Sequence, residues 1–403
     1  MERLTLPDAA WRHRAGLAEL AALLGEGQAR FVGGAVRDTL LGLPVADVDI
    51  ATALEPAEVM ARLKAGGVRV VPTGIAHGTV TAVLPDGPIE VTTLRHDLET
   101  DGRHAVVAFT ADWQADAARR DFTMNALYAD PSTGAVVDYF DGLADLRAGR
   151  VRFIGDPLER IAEDHLRILR FFRFHARFGD IPDPAGLAAC TARANDLMAL
   201  SRERIAAELL KLLVAKGAVE TIALMIDRGI LAPVLPEIEA AGALRLAALA
   251  VREAEAGIAP DAIRRLAALL PADAKVTDLI GARLKLSNAD RKRLNAAVEP
   301  LAAMPWRALG YRLGVTGAID RLLLSDRRDA PAEAAALAGW TPPQLPLSGG
   351  AIVARGVARG PEVARLLRAI EQQWIDEDFP DAARVEAIAD QLVGAWLRST
   401  SKA

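Results

Sequence analysis

Cysteine is almost missing from this 403-residue chain: Cys190 is the only one, which excludes a disulfide framework and every paired-cysteine zinc pattern. The six histidines show neither HxxxH nor HxH spacing, so no histidine-based zinc site is expected. Aromatic residues make up only 5% of the chain while alanine and leucine abound, a balance that favours helix. Long apolar runs are absent too. The longest uncharged run, 334–354, is broken by Gly339, Pro342, Pro343, Pro346, Gly349 and Gly350 and cannot span a membrane. Charge of one sign does not dominate, since 48 Lys and Arg face 53 Asp and Glu for a net −5. A wholly electrostatic nucleic-acid binder is therefore disfavoured, although a local basic groove is not. The opening MERLTLPDAAWRHR lacks the apolar centre of a signal peptide, and with one cysteine a reducing, cytoplasmic location is expected.

What is present is a globular composition, 51% hydrophobic and 25% charged, long enough for roughly two to four domains. The first 140 or so residues carry short β-type runs at 29–32, 45–50, 68–71, 78–84, 89–93 and 126–128, punctuated by Gly, Pro and Asp. They predict an α+β region with a mixed sheet. Beyond Asp156 the pattern turns helical and stays so. Asp156-Pro157-Leu158-Glu159 reads as a cap, a proline first turn and an acid, opening one long helix through Phe178. Ser201 opens another, with Ile205, Leu209, Leu212 and Leu213 at helical spacing. Alanine-rich amphipathic segments fill 215–335, and the Pro/Gly stretch 340–350 leads into a last helical unit.

Several constellations carry chemistry. Residues 31–38, FVGGAVRD, read as strand, glycine turn and helix start. Gly33 and Gly34 let backbone N–H groups crowd an anion, and Arg37 lies in the first turn. Alone, such a pair is more often just a tight strand-to-helix turn. Asp47-Val48-Asp49 follows. On a strand, residues i and i+2 face one side, so both carboxylates converge while Val48 packs behind. Close acids repel unless a cation neutralises them, and hard oxygen ligands suit Mg²⁺. A phosphate cradle beside such a pair is the equipment of phosphoryl transfer. Glu90 is a candidate third carboxylate on a neighbouring strand, or else a solvent-facing position there.

Arg119-Arg120-Asp121 sets two cations and an acid beside the 126–128 strand; arginine can fork onto phosphate oxygens, and Asp121 could accept from a ribose hydroxyl. The helix opening at Asp156 carries Glu163, Asp164, Arg167, Arg170, Arg173 and Arg177, and from Asp164 onward the spacings of 3, 3, 3 and 4 align one face. Four arginines against one acid exceed what solubility requires. Asp164 and Arg167, one turn apart, could choose a base: Asp accepts from an exocyclic amino group while Arg donates to a ring nitrogen. Adenine and cytosine fit that pattern. Guanine and uracil do not.

Together these residues resemble the class II tRNA nucleotidyltransferases, the CCA-adding enzymes that share a family with bacterial poly(A) polymerases. GGAVRD at 33–38 with DVD at 47–49 is similar to the family's first motif, and RRDFTMNA at 119–126 to its second. EDHLRILR at 163–170 resembles the nucleotide-template helix and SRERIAAELLKLL at 201–213 the helix after it. Similarity continues through PTGIAHGTVT at 72–81, EVTTLRHDLETDGRH at 90–104, with a long loop from Arg95 to His104, and LPLSGG at 345–350. The resemblance implies a catalytic head (1–140), a neck with the template helices (141–214), a helical body (215–335) and a tRNA-binding tail (336–403).

It implies addition of C, C and A to the tRNA 3′ end from CTP and ATP, with release of pyrophosphate and no nucleic-acid template. Gly33, Gly34 and Arg37 would contact the incoming nucleotide, and Asp47 and Asp49 would hold Mg²⁺. Arg120 would touch the nucleotide or orient the template helix. Asp164 and Arg167 would read the base, Arg170 and Arg173 would meet ribose or phosphate, and body and tail would grip the primer. One departure stands out: Gly349-Gly350-Ala351 replaces the family's frequent Gly-x-Asp, leaving Ser348 as the candidate helix cap. Poly(A) polymerases of the family tend to end in a basic extension, whereas residues 376–403 are of mixed charge, so CCA addition is favoured over that activity. An enzyme adding only the Cs or only the terminal A is the remaining alternative, and monomer and homodimer both stay open.

Overall fold

The computed structural model describes residues 4–101, 104–300 and 304–400. The chain forms two compact units, Met1–Ala240 and Ala241–Ala403. The first is α+β and the second all-helical, the fold class expected from composition.

Among the described residues, nine strands belong to the first unit: β1 (Ala29–Val32), β2 (Asp49–Thr52), β3 (Arg69–Gly74), β4 (Thr79–Leu84), β5 (Gly87–Thr93), β6 (Arg95–Asp101), β7 (His104–Phe109), β8 (Leu127–Ala129) and β9 (Val136–Asp138). Seven form one sheet in the order β3-β4-β5-β2-β1-β8-β9, and β6 with β7 makes a separate hairpin. Every neighbouring pair in the large sheet is antiparallel except β2 with β5, which run parallel. Register places Asp49 opposite Val32 of β1 on one side and opposite Glu90 of β5 on the other. The glycine turn leaving β1, the first residue of β2 and Glu90 therefore share one end of the sheet. Behind them Val32, Ala51, Leu94, Ala126, Tyr128 and Ile154 are buried together.

Three elements depart from expectation. The run 45–50 is a strand only from Asp49, because Gly42-Leu43-Pro44 and the exposed Ala46 and Asp47 precede the ladder. Asp47 is therefore off the strand, although Val48 does pack inward at 3% exposure. The segment 95–104 is not a loop but most of the β6–β7 hairpin, with Gly102 and Arg103 outside the described residues.

The single helix expected from Asp156 to Phe178 is two, Pro157–Glu163 and Arg167–Phe178. Asp156 does cap the first, accepting from the backbone N–H of Leu158 and Glu159 at 2.8 and 3.1 Å. Asp164 stops it. Its backbone is extended (φ −151°), and its carboxylate accepts from the Leu166 N–H at 3.1 Å, a local bond that competes with continued helix. Asp164 is thus not on the arginine face of the second helix. That helix buries Ile168, Leu169, Phe171, Phe172 and Phe174, and Phe153 stacks on Phe171 with centroids 5.6 Å apart.

In the second unit, the helices Ala262–Leu269, Asn288–Val298 and Trp306–Leu324 are joined by charge as well as by apolar contact, since Arg264 and Arg293 both meet the buried Asp320. Gly314 at φ 73° kinks the last of them, a backbone state that a side chain would strain. Toward the C-terminus Leu366, Ile370, Trp374, Val385 and Ile388 form a second core. Ser348 does stand at the start of the helix Gly349–Ala354, but its hydroxyl makes no capping bond. Among the described residues, no helix is long and apolar enough to cross a membrane.

Candidate active site

The shared sheet end opens onto a cleft of about 500 Å³, whose charged walls are six arginines and three aspartates. A larger cavity of about 950 Å³ lies in the second unit, but the smaller cleft holds the convergent charged groups that chemistry needs. Of the sequence-predicted residues, Gly33, Gly34, Arg37, Asp49, Arg120, Asp164, Arg167 and Arg170 line it. Asp47 and Arg173 do not. Arg119, Asp121, Asn125, Leu166, Phe174 and Arg204 complete the wall.

Gly33 adopts φ 68°, ψ −120°, a conformation that glycine reaches and other residues rarely do. Its N–H is bonded to the Leu127 carbonyl at 3.1 Å, which locks the turn to β8 and aims the start of the helix Gly34–Leu40 at the cleft. Arg37 is 5% exposed and anchored: Nε donates to Asp38 at 2.7 Å and a terminal nitrogen to Asn125 at 2.5 Å. Its guanidinium lies 4.3 Å from the Phe178 ring centroid.

Asp49 is the exception in this cleft. Burial pushes its carboxyl above the usual range, and the nearby Glu90 and Asp47 carboxylates push it further, with only Arg120 opposing them. No cluster of three or more His, Cys, Asp or Glu side chains able to hold a metal exists among the described residues. A pair of acids is still sufficient for Mg²⁺, which ordinarily takes one or two carboxylates and completes its shell with water and substrate phosphate.

Asp121 in the cleft and Asp116 behind it are fully engaged. Asp116, 1% exposed, accepts from Arg119 at 2.8 Å, Arg120 at 3.0 Å and the Tyr128 hydroxyl at 2.7 Å. Burial alone would raise the Asp116 carboxyl, but Arg120 and Arg119 outweigh it and hold it low. Asp121 accepts from Arg170 at 2.8 and 2.5 Å, from Asn125 at 2.9 Å and from the Phe122 N–H at 2.9 Å. Its carboxyl is likewise held low against the pull of burial, chiefly by Arg170. Asp121 consequently has no free face for a ribose hydroxyl, contrary to the reading from sequence. It fixes Arg170 instead.

Asp164 and Arg167 both reach the cleft, each with its own brace. Arg204 donates to the two Asp164 oxygens at 3.1 and 2.9 Å. Arg167 pairs with Glu163 and donates to the carbonyls of Arg160 at 2.8 Å and Arg119 at 3.1 Å. Arg204 was missed because it sits among ordinary helix-surface residues in SRERIAAELL; only its four-residue distance from Glu208, which binds Arg173 at 2.5 Å, hints that this helix faces the arginines.

Family models match at 29–152, described as the poly A polymerase head domain, and at 182–241, described as a probable RNA and SrmB-binding site of polymerase A. The mitochondrial CCA tRNA nucleotidyltransferase 1 of Mus musculus is 37% identical over 363 residues, covering 86% of this chain and 82% of its own. The CCA-adding enzyme of Limosilactobacillus fermentum is 34% identical, covering 87% and 89%. The chain belongs to the CCA-adding tRNA nucleotidyltransferase family. It is a nucleotidyltransferase, and the poly(A) polymerase alternative is not favoured. Among solved structures, the Bacillus stearothermophilus CCA-adding enzyme in complex with CTP matches with a TM-score of 0.71 at 28% identity, covering 96% of this chain and 98% of that one. A Thermotoga maritima CCA-adding enzyme complexed with tRNA shares the fold, with a TM-score of 0.68 at 19% identity and 98% and 100% coverage.

Proposed function

We propose that this cleft binds CTP and ATP in turn and that one chain adds C, C and A to the 3′ end of tRNA. The observation carrying this reading is the pairing of opposites at one sheet end: an arginine-rich wall for a triphosphate beside Asp49, an acid pressed by two other carboxylates. Asp47 and Asp49 are the residues to hold Mg²⁺. When bound, the cation supplies charge neutralisation for the acids, the attacking 3′-oxygen and the pyrophosphate leaving group. Gly33 and Gly34 let the triphosphate approach the backbone, and Arg120, its Nε and one terminal nitrogen tied to Tyr128 and Asp116, presents its remaining nitrogen toward Gly33. Arg170, pinned by Asp121, takes ribose or phosphate. Asp164 and Arg167, held by Arg204 and Glu163, select cytosine and adenine.

The same proposal keeps residues 1–140 as catalytic head, 141–214 as neck, 215–335 as body and 336–403 as tRNA-binding tail. A cytoplasmic site of action belongs to it as well, with the organelle of the mitochondrial relatives as the alternative that cell fractionation would decide. The test is incubation with tRNA lacking its 3′-terminal CCA, supplied with CTP, ATP or both, followed by sequencing. CTP alone should give CC, and both together should stop at CCA. An open-ended A tail, or product that halts at CC with both nucleotides present, would overturn the reading.

A further inference from the structure

Arg173, expected at the nucleotide, lines a different pocket. This second pocket, about 400 Å³, is walled by Arg173, Arg177, Lys211 and Lys216 together with Val214 and Ala215. Its charged lining is entirely cationic. Glu208 engages Arg173 at 2.5 Å and Asp38 engages Arg177 at 3.2 Å, while neither lysine is ion-paired among the described residues. Arg177 keeps 45% of its side chain exposed, and both lysines are exposed.

The pocket also shares a helix with the nucleotide cleft. Both draw on the helix Arg167–Phe178, with Arg170 at one and Arg173 and Arg177 at the other. Aromatic faces fix the cations between them: Arg170 and Arg173 lie 5.4 and 4.5 Å from the Phe174 centroid, and Arg37 and Arg177 lie 4.3 and 4.8 Å from that of Phe178. Stacked guanidinium groups are pre-placed and keep their outer edges for phosphate.

We propose that this row of cations carries the backbone of the primer's 3′-terminal strand into the cleft, with Arg173, Arg177, Lys211 and Lys216 holding its phosphates. The inference rests on the function proposed above and specifies where its RNA substrate is gripped near the chemistry. A phosphodiester strand fits better than a second free nucleotide. The pocket has no glycine turn, no paired acids and no base-reading pair, only the sequence-blind positive groove that suits a strand. The RNA-binding description of 182–241 covers the two lysines but not the arginines of the 167–178 helix. Body and tail would then hold the rest of the tRNA, and this surface would set the distance of its end from the incoming nucleotide.

The full-length enzyme should be titrated with CCA-lacking tRNA between about 50 and 200 mM salt, as wild type and as K211Q/K216Q. Loss of two phosphate contacts to a single strand should lower the log–log salt slope by about 1.4. The KM for tRNA should rise while the KM for CTP stays unchanged. Lys64→Gln, on an exposed face of another helix, should leave the slope at the wild-type value. An unchanged slope in the double variant overturns the proposal. So does a raised KM for CTP with an unchanged KM for tRNA, which would give the pocket to the triphosphate. If the slope falls but the wild-type enzyme never extends tRNA, the RNA surface stands and the proposed function fails.

Discussion

Two buried or half-buried acids, one in each unit, are treated in opposite ways. In the second unit Asp320 is fully buried, yet Arg293 binds it with two nitrogens at 2.6 and 3.0 Å and Arg264 stands at 3.5 Å. Glu253 beside it, 2% exposed, takes Arg264 and Arg265 at 2.8 Å each. Burial raises the Asp320 carboxyl despite these partners, but every oxygen is occupied by a cation of the protein itself. Asp49 in the first unit is also raised by burial, and there its neighbours Glu90 and Asp47 add to the rise. One arrangement closes on itself and can only stabilise structure. The other leaves negative charge opposed by Arg120 alone, which is what a site awaiting a cation looks like.

The sharpest way to break this contrast is removal of the acid that only Arg120 opposes. Asp49→Ala should lower turnover by about three orders of magnitude or more, an effect of at least roughly 4 kcal/mol on the barrier. Circular dichroism and tRNA affinity should stay near wild type. Retention of more than about a tenth of the rate in Mg²⁺ would remove Asp49 from the metal site.

The isosteric change to asparagine should then separate the two acids by the sign of their effect on stability. A folded-state carboxyl raised above its unfolded value adds stability below the unfolded value, lost as pH rises through the folded one. At neutral pH ionisation is therefore a cost for either acid, and what separates them is the cation left behind. Asp320 is hydrogen-bonded by Arg293 and Asp49 is not, so Asp49→Asn should raise the melting temperature while abolishing activity. Asp320→Asn removes a partner from Arg293 and Arg264, and breaking such a buried pair costs about 3–5 kcal/mol. Denaturant unfolding of the two variants measures this directly. Equal signs would mean that the two acids do not differ as their partners suggest.

The same contrast explains what could be read before the fold was seen. Short β-type runs and helix caps are local signals, so β1, β4, β5 and the Asp156 cap emerge near their observed places. The split at Asp164 was hidden because Glu163-Asp164-His165-Leu166 has helical periodicity, and only a side chain turning back on its own backbone ends the helix. Which residues share the cleft was legible where motifs bring them within a few positions, as with Gly33, Gly34 and Arg37. It was not legible for Arg204 or Arg173. Their placement depends on how the helices Arg167–Phe178 and Arg202–Leu213 pack, a long-range fact with no periodic signature.

The braces on Asp164 and Arg167, the pair proposed to read the base, allow a finer comparison within one cleft. Asp164→Ala removes the acceptor for an exocyclic amino group, and a mismatched buried polar edge is worth about 1–3 kcal/mol. Discrimination of CTP and ATP over UTP and GTP should fall by that amount, read from incorporation opposite one shortened tRNA. Arg204→Gln should relax selectivity less, because the carboxylate survives and only its orientation is loosened. If Asp164→Ala slows all four nucleotides equally, the pair does not read the base.

The smallest expected effect concerns Glu90, whose role the register leaves at two possibilities. Opposite Asp49 on the parallel neighbour strand, it could ligate the cation or merely repel the acid that does. Protonated Asp49 cannot serve Mg²⁺, so the acid limb of the pH–rate profile should lie above the ordinary carboxylate range, where burial and the two neighbouring acids have pushed that carboxyl. Glu90→Gln removes the second-largest of those causes without changing size. If Glu90 only repels, the limb should move to lower pH with the plateau rate kept. If Glu90 is a ligand, the plateau itself should collapse at every pH, and excess Mg²⁺ should restore part of it. A profile that moves to higher pH fits neither role and would mean that Asp49 does not control the limb.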